Sequence, residues 1–196
     1  MSKQKRKTRG SPSGRLRIVA GKWRSRLLPV IAEEGLRPTS ERIRETLFNW
    51  LVPVVEGSRC LDLFAGSGAL GIEALSRGAA SVVFVERSGP AVRQLKQSLE
   101  SLDAARGAVI AGDALEYLRK ATPSSFDIVF LDPPFAADYY AELCRLLADR
   151  GWVSPGSLVY LEKDRTEAVP ELPRNWQLQK EKTAGNVRFS LVRVEK

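Results

Sequence analysis

Cys60-Leu-Asp62-Leu-Phe64-Ala-Gly66-Ser-Gly68-Ala-Leu-Gly71 opens as a short apolar run, breaks into glycines, and passes at Ala69 into helical spacing that lasts to Arg77. A short run that is apolar throughout is what a strand covered on both faces requires. The same unit then recurs. Ser81-Val-Val-Phe-Val, Ala108-Val-Ile-Ala, Phe126-Asp-Ile-Val-Phe-Leu and Ser157-Leu-Val-Tyr-Leu are runs of the same kind. Helical stretches stand between them at Pro90 to Leu102, capped by Ser88, at Ala114 to Lys120 and at Tyr139 to Asp149. Five alternations of strand and helix predict an α/β fold with a parallel, doubly wound sheet. Trp176 to Lys182 and Val187 to Val194, separated by Thr183-Ala-Gly-Asn186, are expected to form an antiparallel hairpin that closes the sheet edge.

Upstream of this unit, Arg17-Ile-Val-Ala-Gly21-Lys-Trp-Arg-Ser-Arg-Leu-Leu28 holds two β-prone runs about Gly21. It predicts a hairpin with Arg and Trp side chains on one face. Pro38 and Thr39 open a helix: Thr39 or Ser40 caps it, Glu41 suits its first turn, and Ile43, Leu47 and Trp50 recur at helical spacing. Pro53 should end it. Met1 to Gly14 is polar, basic and broken by Gly10, Pro12 and Gly14, and reads as a disordered tail.

The composition agrees with one globular domain: 196 residues, 43% hydrophobic and 28% charged. There is no histidine, which excludes imidazole acid/base chemistry, Ser-His-Asp and Cys-His relays, and most zinc or non-haem iron sites. No metal site is expected. Cys60 and Cys144 are far apart and set among apolar residues, so no disulfide framework is expected and a reducing cytoplasm is the natural setting. No segment has the length and apolarity of a membrane span or a targeting peptide.

The net charge of +8 is unevenly placed. Residues 1–32 hold ten basic groups and no acidic one, leaving 21 basic against 23 acidic in the remainder. Such an arm suits phosphate contacts and counterion release; the alternative is a solvated terminus that aids solubility.

In a doubly wound sheet, ligands sit beyond the carboxyl ends of the strands at the point where strand order reverses. Asp62 to Gly71, Glu86, Asp113 and Asp132 to Phe135 fall at those ends, and each place carries an acid. The glycines form a G-x-G-x-x-G turn with Glu86 about 20 residues on, a spacing that also fits a dinucleotide site or a plain tight turn. Asp62 shifts the balance, because a carboxylate ahead of the glycines repels pyrophosphate and favours a cationic ligand such as the sulfonium and ammonium of S-adenosylmethionine. Glu86 can accept both hydroxyls of a ribose or stand solvated in a loop. Asp113 can meet an adenine amine or cap a helix. Asp132-Pro133-Pro134-Phe135 sets a carboxylate, carbonyls that no local N–H competes for, and an aromatic ring together at the end of a core strand. That suits an exocyclic amine on a base, with Asp132 and the Pro133 carbonyl each accepting one N–H and Phe135 stacking on the ring. A plain Pro-Pro turn explains the prolines but not the acid and the aromatic.

Asp-Leu-Phe-Ala-Gly-Ser-Gly followed by Asp-Pro-Pro-Phe resembles the class I S-adenosylmethionine-dependent amino-methyltransferases. Arg37-Pro38-Thr39-Ser-Glu-Arg42-Ile-Arg44-Glu45-Thr-Leu-Phe48-Asn49, preceded by the Arg-Ile-Val-Ala-Gly-Lys hairpin, is similar to the narrower RsmD family, over about residues 15 to 196. The resemblance implies a Rossmann-like seven-stranded methyltransferase sheet with a C-terminal antiparallel hairpin and a small N-terminal hairpin and helix. It implies S-adenosylmethionine as cofactor and methylation of guanine N2, at a 966-type site, in 16S rRNA, within the assembled small subunit and by a monomer. It divides the chain into a tail, 1–14, an RNA-binding hairpin and helix, 15–55, and a methyltransferase domain, 56–196. It implies cofactor contacts from Thr39, Asp62, Phe64, Gly66, Gly68, Glu86, Arg87, Asp113, Ala114 and Asp132, and catalysis by Asp132, Pro133, Pro134 and Phe135. Arg15, Arg17, Lys22, Trp23, Arg24, Arg26, Arg37, Arg42 and Arg44 would meet RNA.

Three other readings stand beside it. A nicotinamide-dependent oxidoreductase shares the glycines and Glu86 but leaves Asp62 and Asp-Pro-Pro-Phe unexplained. A non-catalytic RNA-binding module accounts for the arm alone. A DNA amino-methyltransferase shares the catalytic loop, but the chain has no room for a separate target-recognition domain.

Overall fold

The computed structural model describes residues 14–30, 39–133, 139–167 and 171–196. Most of tail 1–14, together with Arg37, Pro38, Pro134 and Phe135, lies outside the described residues.

Two short strands come first, β1 (Gly14–Arg17) and β2 (Leu27–Val30), antiparallel and forming a sheet of their own. Helix α1 (Glu41–Val55) follows, then β3 (Arg59–Asp62), α2 (Ala69–Ser76), β4 (Ser81–Glu86), α3 (Gly89–Ser101), β5 (Gly107–Ala111), α4 (Ala114–Lys120), β6 (Ile128–Leu131), α5 (Tyr139–Asp149) and β7 (Leu158–Asp164). The chain ends in the hairpin β8 (Trp176–Ala184) and β9 (Val187–Val194). The large sheet has the order β5-β4-β3-β6-β7-β9-β8; β3 to β7 run parallel, and β9 enters antiparallel between β7 and the edge strand β8. Counted from β3, the parallel part reads third, second, first, fourth, fifth, so the order reverses between β3 and β6. That is where a doubly wound sheet opens its ligand crevice.

The sheet divides two apolar layers. Ile43, Leu47, Phe48 and Leu51 of α1, Leu70 and Ile72 of α2 and Leu95 and Leu99 of α3 pack on one face, against Cys60, Phe84, Phe130 and Tyr160. Leu118 of α4 and Leu143, Cys144 and Leu147 of α5 cover the other, against Leu61, Val85, Val129 and Leu161. Both cysteines are buried and free. Gly71 permits the closeness of α2 to the sheet: a Cβ there would stand 2.2 Å from the Phe84 ring.

Two local expectations are corrected. Pro53 does not end α1 but lies inside it. Its ring and its neighbours Val52 and Val54 are exposed while Leu51 and Val55 stay buried, so burial of the inner face carries the helix past one missing hydrogen bond. The N-terminal hairpin is also wider than expected. Its strands stop at Arg17 and resume at Leu27, and Gly21, between the two β-prone runs, lies against α2. With φ at +80°, a Cβ on Gly21 would meet the Ser76 carbonyl oxygen at 1.9 Å, which only glycine avoids.

The loop between β1 and β2 is seated on α2 through its main chain. Val19 N–H and Ala20 N–H donate to the two oxygens of Glu73 at 2.8 and 2.9 Å, Lys22 N–H to the Ser76 carbonyl at 2.7 Å, and Trp23 N–H to Ser76 Oγ at 3.0 Å. Glu73 is wholly buried and is neutralised by Arg44 at 3.4 Å and Arg77 at 2.8 Å.

Candidate active site

The parallel registers line up four acids. Asp62 lies opposite Phe84 on β4 and Phe130 on β6, and Phe130 lies opposite Tyr160 on β7. Side chains alternate along strands, so Glu86, Asp132 and Glu162, each two residues beyond one of these aromatics, project to the face that carries Asp62. Glu86, Asp62, Asp132 and Glu162 thus form a row along the carboxyl edge of β4, β3, β6 and β7, across the point where strand order reverses. The first three are residues singled out from the sequence. Glu162 is not among them, because the fifth run was read as ending at Leu161 and its carboxyl end was not searched as the other four were.

Each acid is held in a different way. Asp62 accepts from Gly71 N–H at 3.1 Å, at the start of α2 where unpaired amides and the helix dipole favour an acceptor. Burial nevertheless pushes its carboxyl up to about 7, with the nearby Glu86 adding to the rise. Glu86 accepts from Gly66 N–H and Ser88 N–H, both at 2.7 Å, and so pins the glycine turn to the end of β4. Gly66 and Gly68 have φ of +50° and +80°, and a Cβ on Gly68 would press to 2.5 Å from Leu95. Asp132 accepts from the Thr39 hydroxyl at 3.2 Å. Burial raises its carboxyl well above the usual range, and Glu162 and Asp62 raise it further. Glu162 is raised by burial as well, while the Tyr160 and Thr39 hydroxyls work against the rise.

No lysine or arginine figures among the charges acting on Asp62, Asp132 or Glu162 among the described residues. Glu73, with its two arginines, shows how this chain treats a buried acid that it keeps neutralised for itself. Among the described residues, Asp62, Asp132 and Glu162 have no such neutralising partner.

Thr39 is buried, and its carbonyl accepts from Arg44 Nε at 3.3 Å, so the residue ahead of α1 is fixed on both sides. The cap of α1 is Ser40, whose hydroxyl accepts from Ile43 N–H. Phe64 is half-buried beside the glycine turn, Pro133 is buried after Asp132, and Arg87 is exposed past Glu86. Asp113 caps α4 by accepting from Glu116 N–H at 3.1 Å, with Ala114 buried behind it, so the helix-cap alternative is the contact observed.

The basic residues separate into two groups. Arg15, Arg17, Lys22, Arg24, Arg26 and Arg42 are exposed, Arg26 also donating to the Ser101 carbonyl at 3.1 Å. Trp23 and Arg44 are corrected as RNA contacts. Trp23 is turned into the core, with Lys22 over its ring, because its amide is held by Ser76. Arg44 is buried because the inner face of α1 brings it onto Glu73.

The chain resembles known proteins over nearly its whole length. The model of the family described as Conserved hypothetical protein 95 matches residues 16–193. The chain is 46% identical over 191 residues to the ribosomal RNA small subunit methyltransferase D of Escherichia coli (strain K12), covering 97% of this chain and 96% of that protein. It is 45% identical over 181 residues to the protein of the same name from Haemophilus influenzae, covering 91% and 93%. The solved structure of yhhF from Escherichia coli superposes with a TM-score of 0.87 at 42% identity, covering 93% of this chain and 99% of that one. With relatives near half identity over almost the whole length, and a family match that takes in both the N-terminal hairpin and the row of acids, this chain belongs to the RsmD family.

Proposed function

We propose that this chain transfers the methyl group of S-adenosylmethionine to the exocyclic N2 of a guanine in small-subunit ribosomal RNA, acting as a monomer in the cytoplasm on the assembled small subunit. The observation that carries the reading is the row of acids at the switch point, in which Asp62 has no cation beside it among the described residues and Asp132 is available to accept from an amine. The cofactor supplies an electrophilic methyl carbon on a sulfonium. Its positive charges match the uncompensated Asp62, and its ribose hydroxyls match Glu86, whose carboxylate already holds the glycine turn in shape. Thr39, Phe64, Gly66, Gly68, Arg87, Asp113 and Ala114 surround the same edge.

The protein's part in the reaction is positioning and charge. The N2 lone pair of guanine is delocalised into the ring. Asp132 and the Pro133 carbonyl, accepting its two N–H bonds, favour the pyramidal form whose lone pair points at the methyl carbon. The ionised Asp132 also stabilises the positive charge that develops on nitrogen as the bond forms, and the proton leaves to solvent afterwards. Pro134 and Phe135 complete the motif, the ring offering a stacking surface to a base turned out of its helix. Arg15, Arg17, Lys22, Arg24, Arg26, Arg37 and Arg42 would hold the phosphates around that base.

The test is transfer of labelled methyl from S-adenosylmethionine to small subunits prepared from cells that lack the gene, with the product nucleoside mapped. Label in N2-methylguanosine at one position is expected. Label in another base, or in none, overturns the proposal.

A further inference from the structure

The guanine reading leaves one donor of the target base unassigned. The Watson–Crick edge of guanine presents N1–H beside the two N–H bonds of N2, whereas adenine and cytosine carry a ring nitrogen acceptor beside their amine. Asp132 and Pro133 account for the amine alone, and an amine alone does not separate these bases.

Glu162 is the acid beside Asp132 on the neighbouring strand. Strands β6 and β7 pair in parallel up to Leu131 opposite Leu161, so Asp132 and Glu162 are lateral neighbours at one strand spacing, about 4.8 Å between backbones. Both side chains lie on the face of Phe130 and Tyr160. The Thr39 hydroxyl donates to Asp132 at 3.2 Å and is near enough to Glu162 to work against the rise of its carboxyl. Two tyrosines hold Glu162 in place: Tyr160 Oη donates to its Oε2 at 2.7 Å, and Tyr140 Oη donates to its carbonyl. Terminating the buried Tyr160 hydroxyl needs only a neutral acceptor, so that duty does not explain a half-buried acid placed next to another acid, where each disfavours the charge of its neighbour.

Resting on the guanine reading above, we infer that Glu162 is a specificity-determining residue that accepts N1–H of the target base. Its carboxylate meets a donor on guanine. On adenine or cytosine it would face a ring-nitrogen lone pair, and a buried polar group left facing a like group is how sites reject a near-isosteric ligand.

Glu162→Gln separates this role from support of Tyr160, because the amide oxygen can still accept from that hydroxyl while the amide N–H places a donor towards the base. The experiment measures single-turnover methyl transfer to small subunits reconstituted with guanine or with 2-aminopurine at the target position. The analogue keeps the 2-amino group and replaces N1–H by an acceptor. The wild-type protein is expected to prefer guanine by about ten- to a hundredfold, the range for one well-made base contact. In the variant this ratio should fall towards one or invert, with S-adenosylmethionine affinity unchanged by calorimetry. An unaltered ratio in a variant that binds S-adenosylmethionine overturns the inference. A wild-type ratio near one overturns it too, and that arm needs no variant to fold. Failure of the wild-type protein to label guanine N2 at all would instead remove the parent reading, and the product map shows which of the two has failed.

Discussion

At the scale of single residues, the acids at the switch point are the sharpest test of the chemistry. Asp132→Asn keeps the shape of the side chain and should abolish methyl transfer while S-adenosylmethionine still binds, as judged by single-turnover labelling beside calorimetry. In the wild-type protein transfer should rise with pH, because burial holds the Asp132 carboxyl well above its ordinary range and only the ionised form stabilises the charge on nitrogen. Glu86→Ala should weaken S-adenosylmethionine by about 1–3 kcal/mol, the range for losing hydrogen bonds to a charged group, and calorimetry reads the change. Asp62 makes a prediction about stability. Its carboxyl titrates near 7 when folded against 3.8 ordinarily, so between those values the folded chain binds more protons than the unfolded one. Stability therefore falls as pH rises through that window, and Asp62→Asn should flatten the fall; melting temperatures at pH 5 and pH 8 measure it. Asp62, Glu86 and Asp132 were legible in the sequence because each ends an apolar run. Glu162 obeys the same rule but went unread, since Leu161 looked like the end of its strand. Arg44 and Trp23 were misread for another reason: their direction depends on Glu73 and Ser76, distant in sequence, and periodicity does not carry that information.

Among elements, the contact between the N-terminal loop and α2 decides most. Glu73 accepts from two backbone amides and two arginines, so Glu73→Ala should leave Arg44 as a buried unpaired charge and cost about 3–5 kcal/mol in urea unfolding. Replacing the pair together, Arg44→Met with Glu73→Leu, should recover part of that loss. Recovery stays incomplete because the half-buried N–H groups of Val19 and Ala20 still lack their acceptor. The five strand–helix alternations and the closing hairpin were readable from runs and turn residues. The true ends of α1 and of β1 and β2 were not. Pro53 announces a stop that burial of Leu51 and Val55 overrides, and the β-prone runs about Gly21 suggest strands where the chain instead loops against Ser76.

For the molecule as a whole, charge and core occupy the same N-terminal segment. Leu16, Ile18 and Trp23 are buried in the main core while Arg15, Arg17, Lys22 and Arg24 face outward from the same stretch, so removing the segment would damage the fold along with the charge. Changing those four to glutamine leaves the core intact. If all four meet phosphates, the slope of log affinity for small subunits against log salt should drop by roughly 3, at 0.7–0.9 for each contact, while S-adenosylmethionine binding is retained. An unchanged slope in the salt titration would assign recognition to another surface. The way this segment is attached has a consequence of its own. Val19, Ala20, Lys22 and Trp23 all dock through main-chain N–H groups, which every residue except proline possesses. The seat is thus indifferent to most of what the outward side chains are. If the lysines and arginines on this loop meet RNA as proposed, they can be exchanged, moved or lost to follow a different RNA surface while the main-chain seat stays as it is, and the loop would then serve as a replaceable reading head on a fixed mount.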